Sequence, residues 1–265
     1  MSDNMIMKLG GGRSAVISHT LVKRIPVNYP RGTGIMYGDV MLFDASKTIR
    51  DNHLKVFFCI LKAYTDNKYD AIVKAKNIDY TLSLDTDVPS NFTDFNVDTK
   101  EISSYAYPND TRTRPKRILE AMEAMAGLKI YLIDEKGDKQ GFVQLVSQAR
   151  LSVDRKTMSV GINKDFLKDM SRQIIQYDFP TMLQLQGLDF RLYIAMQQRK
   201  YGRSKQKYAY TNVDHQELLQ ILNLHDREAK YRIAQAFQNI GLNFVLGSND
   251  KWFYPTKKLE ESHEL

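Results

Sequence analysis

The sequence predicts an α+β fold in which one structural unit, a basic helix followed by a β-hairpin, occurs twice. Three observations predict it. Of the 265 residues, 43% are hydrophobic and 11% are aromatic, which is enough for packed cores and excludes a wholly disordered chain. Lysine and arginine outnumber the acidic residues 38 to 31, and the resulting net charge of +7 favours a polyanionic partner. The third observation is a similarity between Gly127–Leu132 and Gly241–Leu246, each of which follows a basic helical segment.

Several protein classes are excluded by the composition. The single cysteine, Cys59, forms no internal disulfide, and its apolar neighbours predict burial rather than reactivity. No apolar run reaches the roughly 18 residues of a membrane span. The first residues hold no apolar segment typical of a signal peptide, so a cytoplasmic protein is expected.

The first half is predicted to contain an N-terminal arm, residues 1–35, and a domain spanning residues 36–170. Within the arm, a short strand is expected at residues 21–25. A helix with one buried face is expected at residues 54–64, because apolar residues recur there at helical spacing. Polar residues and prolines dominate residues 66–110, which predicts short elements joined by mobile loops.

The pattern sharpens after residue 111. Ile118, Met122 and Met125 lie on one helix face, and Pro115 suits the first helical turn. Gly127 is expected to end this helix in a left-handed conformation. Strands are then expected at residues 128–133 and 141–146, with a turn between them.

The second half, residues 171–256, is predicted to repeat this outline, and residues 257–265 form a C-terminal tail. Asp178 and Pro180 predict the start of a brief helix. Helices are expected at residues 188–198, 213–222 (after Asn212) and 226–240. Asp226 is expected to cap the last of these helices and Gly241 to end it. Two strands, at residues 242–246 and 252–254, are expected to follow, with a turn between them.

The two halves share the spacing of their helix residues. Ile118, Ala121, Met122 and Met125 match Ile233, Ala236, Phe237 and Ile240. The strand after each glycine also matches, after a slip of one residue. This self-similarity favours two copies of one architecture, although two independent amphipathic units would look alike.

A helix followed directly by a hairpin is the outline of a winged helix, so the chain is predicted to hold two tandem winged-helix domains that contact double-stranded DNA. Arginine suits guanine edges and lysine suits phosphates. The candidate DNA-binding residues of the first copy are Arg112, Arg114, Lys116 and Arg117 on the helix, with Lys136 and Lys139 on the hairpin. Those of the second copy are Arg227, Lys230, Tyr231 and Arg232, with Lys251 on the hairpin. Arg203, Lys205 and Lys207 lie in a basic loop expected to follow phosphates. For each cluster the alternative is a solvated surface without a ligand.

No catalytic constellation stands out. The phosphate-binding Gly-x-x-x-x-Gly-Lys-Ser/Thr loop is absent, and the five histidines form no pair at metal-ligand spacing. The sequence therefore predicts a non-enzymatic protein without a cofactor or metal. The 15 tyrosines leave a nucleophilic tyrosine open.

In the order of its elements the chain resembles plasmid replication initiators, which consist of two winged-helix domains that bind repeated origin sequences called iterons. The likeness to the RepC-type initiators of IncQ-like plasmids rests on pattern more than on identity. It is carried by residues 117–122 through 139–145, by 174–199 and by 227–255. The resemblance implies iteron binding, local opening of the duplex, recruitment of a helicase or other replication proteins, and a balance between monomer and homodimer. A winged-helix transcriptional regulator and a rolling-circle nickase are the alternatives.

Overall fold

In the computed structural model the chain divides into two compact units, Met1–Leu183 (unit 1) and Gln184–Leu265 (unit 2). The structure describes residues 6–7, 9, 14–18, 36–37, 40–41, 43–45, 49–77, 92–110, 114–133, 139–147, 149–164, 166, 174–202, 210–222, 224, 227–247 and 249–255. Both units mix helices and strands, so the predicted α+β class is confirmed.

Unit 1 holds the following described elements, in chain order. They are β1 (Ile6–Met7), β2 (Ser14–Ser18), β3 (Met36–Tyr37), β4 (Val40–Met41), β5 (Phe43–Ala45), α1 (Asp51–Asn77), β6 (Phe92–Asp98), α2 (Thr99–Ala106), α3 (Arg114–Ala126), β7 (Leu128–Ile133), β8 (Lys139–Gln144), β9 (Arg150–Leu151), β10 (Thr157–Asn163), β11 (Ile174–Asp178) and α4 (Phe179–Gln184). One sheet has the strand order β1-β6-β10-β9, and a second has the order β5-β7-β8.

Helix α1 forms the centre of unit 1. Its residues from Leu54 to Tyr64 are buried almost all round, as expected of a helix enclosed by other elements. The thiol of Cys59 is fully buried, as the sequence predicts. Even Lys62 is 1% exposed, and its ammonium pairs with Asp66 at 2.8 Å. The predicted helix is confirmed, but it continues to Asn77, well beyond its predicted end.

The prediction of short elements and loops for residues 66–110 is wrong at the start of this range, where α1 continues to Asn77, whereas β6 and α2 in its second half are short elements. Strand β6 alternates strictly, with Thr93, Phe95 and Val97 buried and polar residues between them. The Asp98 carboxylate then accepts a hydrogen bond of 3.0 Å from the Glu101 N–H and begins helix α2. The polar residues that suggested a loop are the outer face of a half-buried strand.

Helix α3 and the antiparallel pair β7–β8 agree with the predicted helix and hairpin. Strand β8 begins and ends two residues earlier than predicted. The left-handed cap predicted at Gly127 is wrong, because positive φ among the described glycines occurs at Gly187 and Gly241. Strand β7 instead begins immediately after Gly127, so the chain needs no left-handed residue to leave the helix.

Unit 2 consists, in its described part, of α5 (Gly187–Gly202), β12 (Tyr210–Asp214), α6 (His215–Leu222), α7 (Ala229–Asn239), β13 (Val245–Leu246) and β14 (Lys251–Pro255). Its sheet has the order β12-β14-β13. Leu192, Ile233, Phe237 and Trp252 belong to one core cluster between the helices and this sheet.

The predicted start of the helix at 213–222 is wrong. Asn212 and Val213 lie in strand β12, where Val213 is paired with Trp252. The Asp214 carboxylate accepts a hydrogen bond of 2.8 Å from the Gln216 N–H as helix α6 begins. The predicted cap Asp226 lies outside the described residues; α7 starts after Glu228, whose side chain makes no capping hydrogen bond.

The division into units differs from the predicted domain limits at residues 171–183, which belong to unit 1. Strand β11 pairs with β2, so residues that were predicted to open the second domain pack with the N-terminal segment. The brief helix predicted after Asp178 is confirmed as α4, and the Asp178 carboxylate accepts from the Thr181 N–H at 2.9 Å. The predicted strand at 21–25 and the tail at 257–265 lie outside the described residues.

Candidate nucleic-acid interface

Helix α7 of unit 2 is held by its apolar face. Ala229, Ile233, Ala236 and Phe237 are buried. The Phe237 ring stacks on Trp252, with 5.5 Å between the ring centroids. This packing fixes the rotation of the helix about its axis, which leaves the opposite face to solvent.

The outward face of α7 carries a stripe of long polar and cationic side chains. Tyr231, Gln235 and Gln238 follow one another on α7 at intervals of three or four residues, and Arg227, in the turn before the helix, continues this spacing; all four are exposed. The Tyr231 side chain is 72% exposed. Lys230 and Arg232 are exposed beside the stripe.

The turn between β13 and β14 is fastened to α7. The Lys230 ammonium contacts the Asp250 carboxylate at 2.6 Å, and this hydrogen bond holds the pKa of Asp250 below its usual range. Asp250 has a φ of 55°, a left-handed conformation that aspartate tolerates better than most residues. Lys251, next in the chain, is half-buried. The Lys230 and Asp250 side chains are both about half exposed, so the pair places the hairpin turn next to α7 without adding much stability.

A buried pair lies beneath this turn. The Trp252 indole N–H donates to Nδ1 of His215 at 3.1 Å, so the neutral imidazole carries its proton on Nε2. Burial lowers the pKa of His215, and the charge of Lys230 lowers it further. The His215 N–H also donates to the Asp250 carbonyl at 2.9 Å, which joins the start of α6 to the hairpin.

The basic cluster of α3 in unit 1 is partly engaged with the protein itself. The Arg114 guanidinium donates to the Pro108 carbonyl at 2.8 Å. Arg117 pairs with Asp110 at 2.9 Å and lies over the Tyr107 ring. Burial raises the pKa of Tyr107 to about 12. These two arginines brace the connection from α2 to α3.

Lys116 is the most exposed cation of the described part of that cluster, with 77% of its side chain accessible and Glu120 at 3.8 Å. An exposed pair of this kind gives little stability, so Lys116 can exchange its carboxylate for another anion at small cost.

The remaining predicted residues are placed as follows. Lys139 opens strand β8. Arg112, Lys136, Arg203, Lys205 and Lys207 lie outside the described residues.

The sequence analysis overlooked two residues of the α7 stripe, Gln235 and Gln238. Their helical spacing from Tyr231 indicates that they share its exposed face. They were not predicted because the candidate DNA-binding residues were chosen mainly for positive charge, and glutamine has none. Gln235 donates to the Asn239 amide oxygen at 3.1 Å, and Asn239 donates to Asp189 at 2.9 Å. The amide at position 235 is thus already oriented along the helix surface.

The described residues contain neither a metal-binding cluster nor a membrane-spanning helix. No group of three or more His, Cys, Asp or Glu side chains there is arranged to hold a metal ion. No described helix is long and apolar enough to cross a membrane.

Comparison with known proteins gives matches among solved structures. No protein-family model matches the chain. No curated protein matches it either. The crystal structure of domains 2 and 3 of RctB, as selenomethionine derivatives, is 11% identical, with a TM-score of 0.49 over 90% of this chain and 97% of that one. A second RctB structure of domains 2-3 is 12% identical, with a TM-score of 0.44 over 90% and 95% of the two chains. At this identity and these TM-scores, the likeness assigns neither a family nor a function to the chain.

Proposed function

We propose that this chain is a plasmid replication initiator that binds double-stranded DNA sequence-specifically, and that unit 2 is a winged-helix module with α7 as its recognition helix. The observation that carries the proposal is the two-sided construction of α7. Its apolar face is locked in a core, and its outward face presents Arg227, Lys230, Tyr231 and two glutamines.

The topology of unit 2 supports this assignment. Its elements follow in the order helix, strand, helix, helix, strand, strand, and the returning strand β14 lies between β12 and β13. In such an arrangement the last helix enters the major groove while the hairpin meets the sugar–phosphate backbone. The contact between Lys230 and Asp250 would hold the hairpin turn next to α7.

The side chains of the stripe match the chemistry of a base-reading surface. The major groove of B-DNA admits an α-helix, and glutamine can pair with both N6 and N7 of adenine. Arg227, at the N-terminal end of α7, is placed to contact either guanine or a phosphate. Tyr231 adds an exposed hydroxyl and ring between Arg227 and Gln235.

Unit 1 is proposed as a second DNA-binding winged helix, built on α2, α3 and the β7–β8 hairpin. Its sheet has the first hairpin strand, β7, at the centre, whereas unit 2 has the second, β14. Two modules in adjacent major grooves of one site would account for recognition of a long repeated sequence, and duplex opening, helicase recruitment and homodimer formation follow from the resemblance to plasmid initiators. We propose that the chain performs no strand cleavage, so supercoiled origin DNA incubated with it and Mg²⁺ should remain unnicked.

The decisive experiment is footprinting on the DNA that flanks the gene of this protein. We expect protection over repeated sites of about two helical turns for each monomer. Protection of a single palindrome would favour a transcriptional regulator instead. Equal affinity for flanking and random DNA would contradict sequence-specific binding.

One variant of α7 and one control variant in unit 1 test the assignment of α7 as the recognition helix. Gln238→Ala is expected to weaken binding to the protected site by about 1–3 kcal/mol and to leave random DNA unaffected, because a base contact carries the sequence information. Arg50→Ala, an exposed cation of unit 1 outside the proposed surface, is the control and should bind like the wild type. If Gln238→Ala also behaves like the wild type, Gln238 does not read a base.

A further inference from the structure

The hairpin formed by β9 and β10 in unit 1 is positively charged, exposed and held in one conformation by hydrogen bonds. Its seven residues from Arg150 to Lys156 hold three cations and one acid. Arg150, Arg155 and Lys156 are all exposed. Val153, at the tip, is 104% exposed, so an apolar side chain is fully accessible to water two residues before Arg155.

The turn itself is tightly ordered. The Arg155 N–H donates to the Ser152 carbonyl at 3.0 Å, and the Ser152 N–H donates to the Thr157 carbonyl at 2.9 Å. The Asp154 carboxylate accepts from the Ser152 hydroxyl at 2.6 Å and from the Lys156 N–H at 3.1 Å. The one acid of the tip is thereby occupied in shaping the turn.

The neighbouring helix fixes the hairpin to the body of unit 1. The Thr99 N–H donates to the Lys156 carbonyl at 2.9 Å, and the Thr99 hydroxyl donates to the Arg155 carbonyl at 2.6 Å. Both bonds use main-chain carbonyls, and the Arg155 and Lys156 side chains are exposed. The Lys156 ammonium lies 3.9 Å from the Asp154 carboxylate, and an exposed pair of this kind gives little stability, so Lys156 can exchange it for a phosphate at small cost. An ordered tip loses little conformational entropy when it binds a partner.

We propose that the β9–β10 tip is an additional DNA contact, in which Arg155 and Lys156 bind backbone phosphates and Val153 packs against the sugar edges of the minor groove. This inference rests on the proposed DNA-binding function. Strand β9 contacts α3, the helix that carries the proposed DNA-binding residues of unit 1.

The chemistry of the tip fits duplex DNA. Minor-groove proteins combine arginine or lysine with an apolar side chain that approaches the base steps. The tip has this combination on a narrow ridge of two strands, and its net positive charge matches the phosphates on both walls of the groove.

The test is the salt dependence of binding to a mixed-sequence duplex of about 40 base pairs, roughly four helical turns. The variant Arg155→Gln/Lys156→Gln removes both positive charges. The backbone at position 155 has a φ of 58°, and glutamine is an L-residue with a side chain there, as arginine is. The plot of log affinity against log salt should lose about 1.8 from its slope, or 0.9 for each phosphate contact. Val153→Ser should weaken binding about three- to tenfold without changing the slope.

Two controls make the result specific. Arg50→Gln removes one positive charge from an exposed position of unit 1 outside the proposed DNA contacts and should keep the wild-type slope. The exchange Arg155→Lys/Lys156→Arg keeps both cations and should keep it as well. Thermal unfolding followed by circular dichroism confirms that each variant retains the wild-type fold.

Failure of this inference is distinguishable from failure of the proposed function. If wild-type protein binds the duplex and the tip variant has the slope of the control, the tip contacts no DNA and serves a different partner. If wild-type protein binds no duplex at low salt, the DNA-binding function itself is overturned, and this inference falls with it.

Discussion

The residues beneath the unit 2 hairpin show how one buried polar contact ties a candidate interface to a core. Trp252 packs against Phe237 and Phe244, and the one polar atom of its side chain donates to His215. An indole N–H buried without a partner would cost stability, so the imidazole must stay neutral and accept this bond.

The stability of unit 2 should therefore depend on pH through His215. The folded state lowers the pKa of His215 from 6.5, so below that value the unfolded chain binds the proton more readily. The free energy of unfolding is expected to be at its full value above pH 6.5 and to fall as the pH drops toward 5. Fluorescence of Trp252, the single tryptophan, measures urea unfolding of this unit.

The control for this prediction is His215→Asn, which keeps an acceptor near the indole but does not titrate. Its unfolding midpoint should change less between pH 7 and pH 5 than that of the wild type. An identical pH dependence for the two proteins would show that His215 does not control the stability of unit 2.

At the level of single residues, the sequence predicts burial well and partners poorly. The helical spacing identified Ile118, Met122 and Met125 as core, and all three are buried. It could not show that Arg117 pairs with Asp110, because that contact depends on how the turn after α2 folds back. Charge alone also overstated the availability of Arg114 and Arg117.

Among the elements, the long amphipathic helices were predictable and the polar strands were not. Helices α3 and α7 bury residues at the spacing the sequence shows, whereas α5 buries the five consecutive residues from Leu192 to Met196. Strands β6 and β12 were missed because their identity depends on pairing with β10 and β14, which are distant in the chain. A half-buried strand with polar residues on its outer face looks like a loop until its partner is known.

The link between α7 and its hairpin leads to a prediction about Asp250. Asp250→Asn keeps the side-chain shape, and asparagine also tolerates a left-handed φ. Because the variant removes an acid from the proposed interface and releases Lys230 for phosphate, affinity for DNA should rise about two- to fivefold at low salt. The salt slope should become steeper by up to about 0.9.

Asp94→Asn provides the matched control, since Asp94 is exposed on β6 of unit 1 and lies outside the proposed contacts. It should bind like the wild type in the same anisotropy titration. If Asp250→Asn and Asp94→Asn give equal affinities, the β13–β14 turn does not face the DNA.

On the scale of the whole molecule, the repeat in the sequence corresponds to a local repeat in structure. A helix followed by an antiparallel hairpin occurs in both units. Three of the four matched helix positions are buried in both, whereas Ile240, the counterpart of the buried Met125, is partly buried. The sheets differ around it, because β5 pairs with the first hairpin strand in unit 1 and β12 pairs with the second in unit 2. Self-similarity could predict the repeated segment but not the strand that completes each sheet.

The limits of the units were beyond sequence reasoning for the same reason. Strand β11 follows the predicted boundary, yet it pairs with β2 near the N-terminus. Lys55 reinforces this arrangement by donating to the Leu183 carbonyl at 3.0 Å. Such contacts between distant segments leave no local signal in composition or periodicity.

The core cluster of unit 2 consists of residues 188–252 alone, which predicts that a fragment spanning residues 184–265 folds by itself. Its Trp252 emission and its urea midpoint should match those of unit 2 in the intact protein. If both units bind DNA, binding of the second unit becomes intramolecular once the first is bound, because the two are linked. The intact chain should then bind the footprinted site at least about 100-fold more tightly than the fragment. Equal affinity would mean that unit 2 alone supplies the DNA contacts, and a fragment that fails to fold would show that unit 2 depends on unit 1 for its stability.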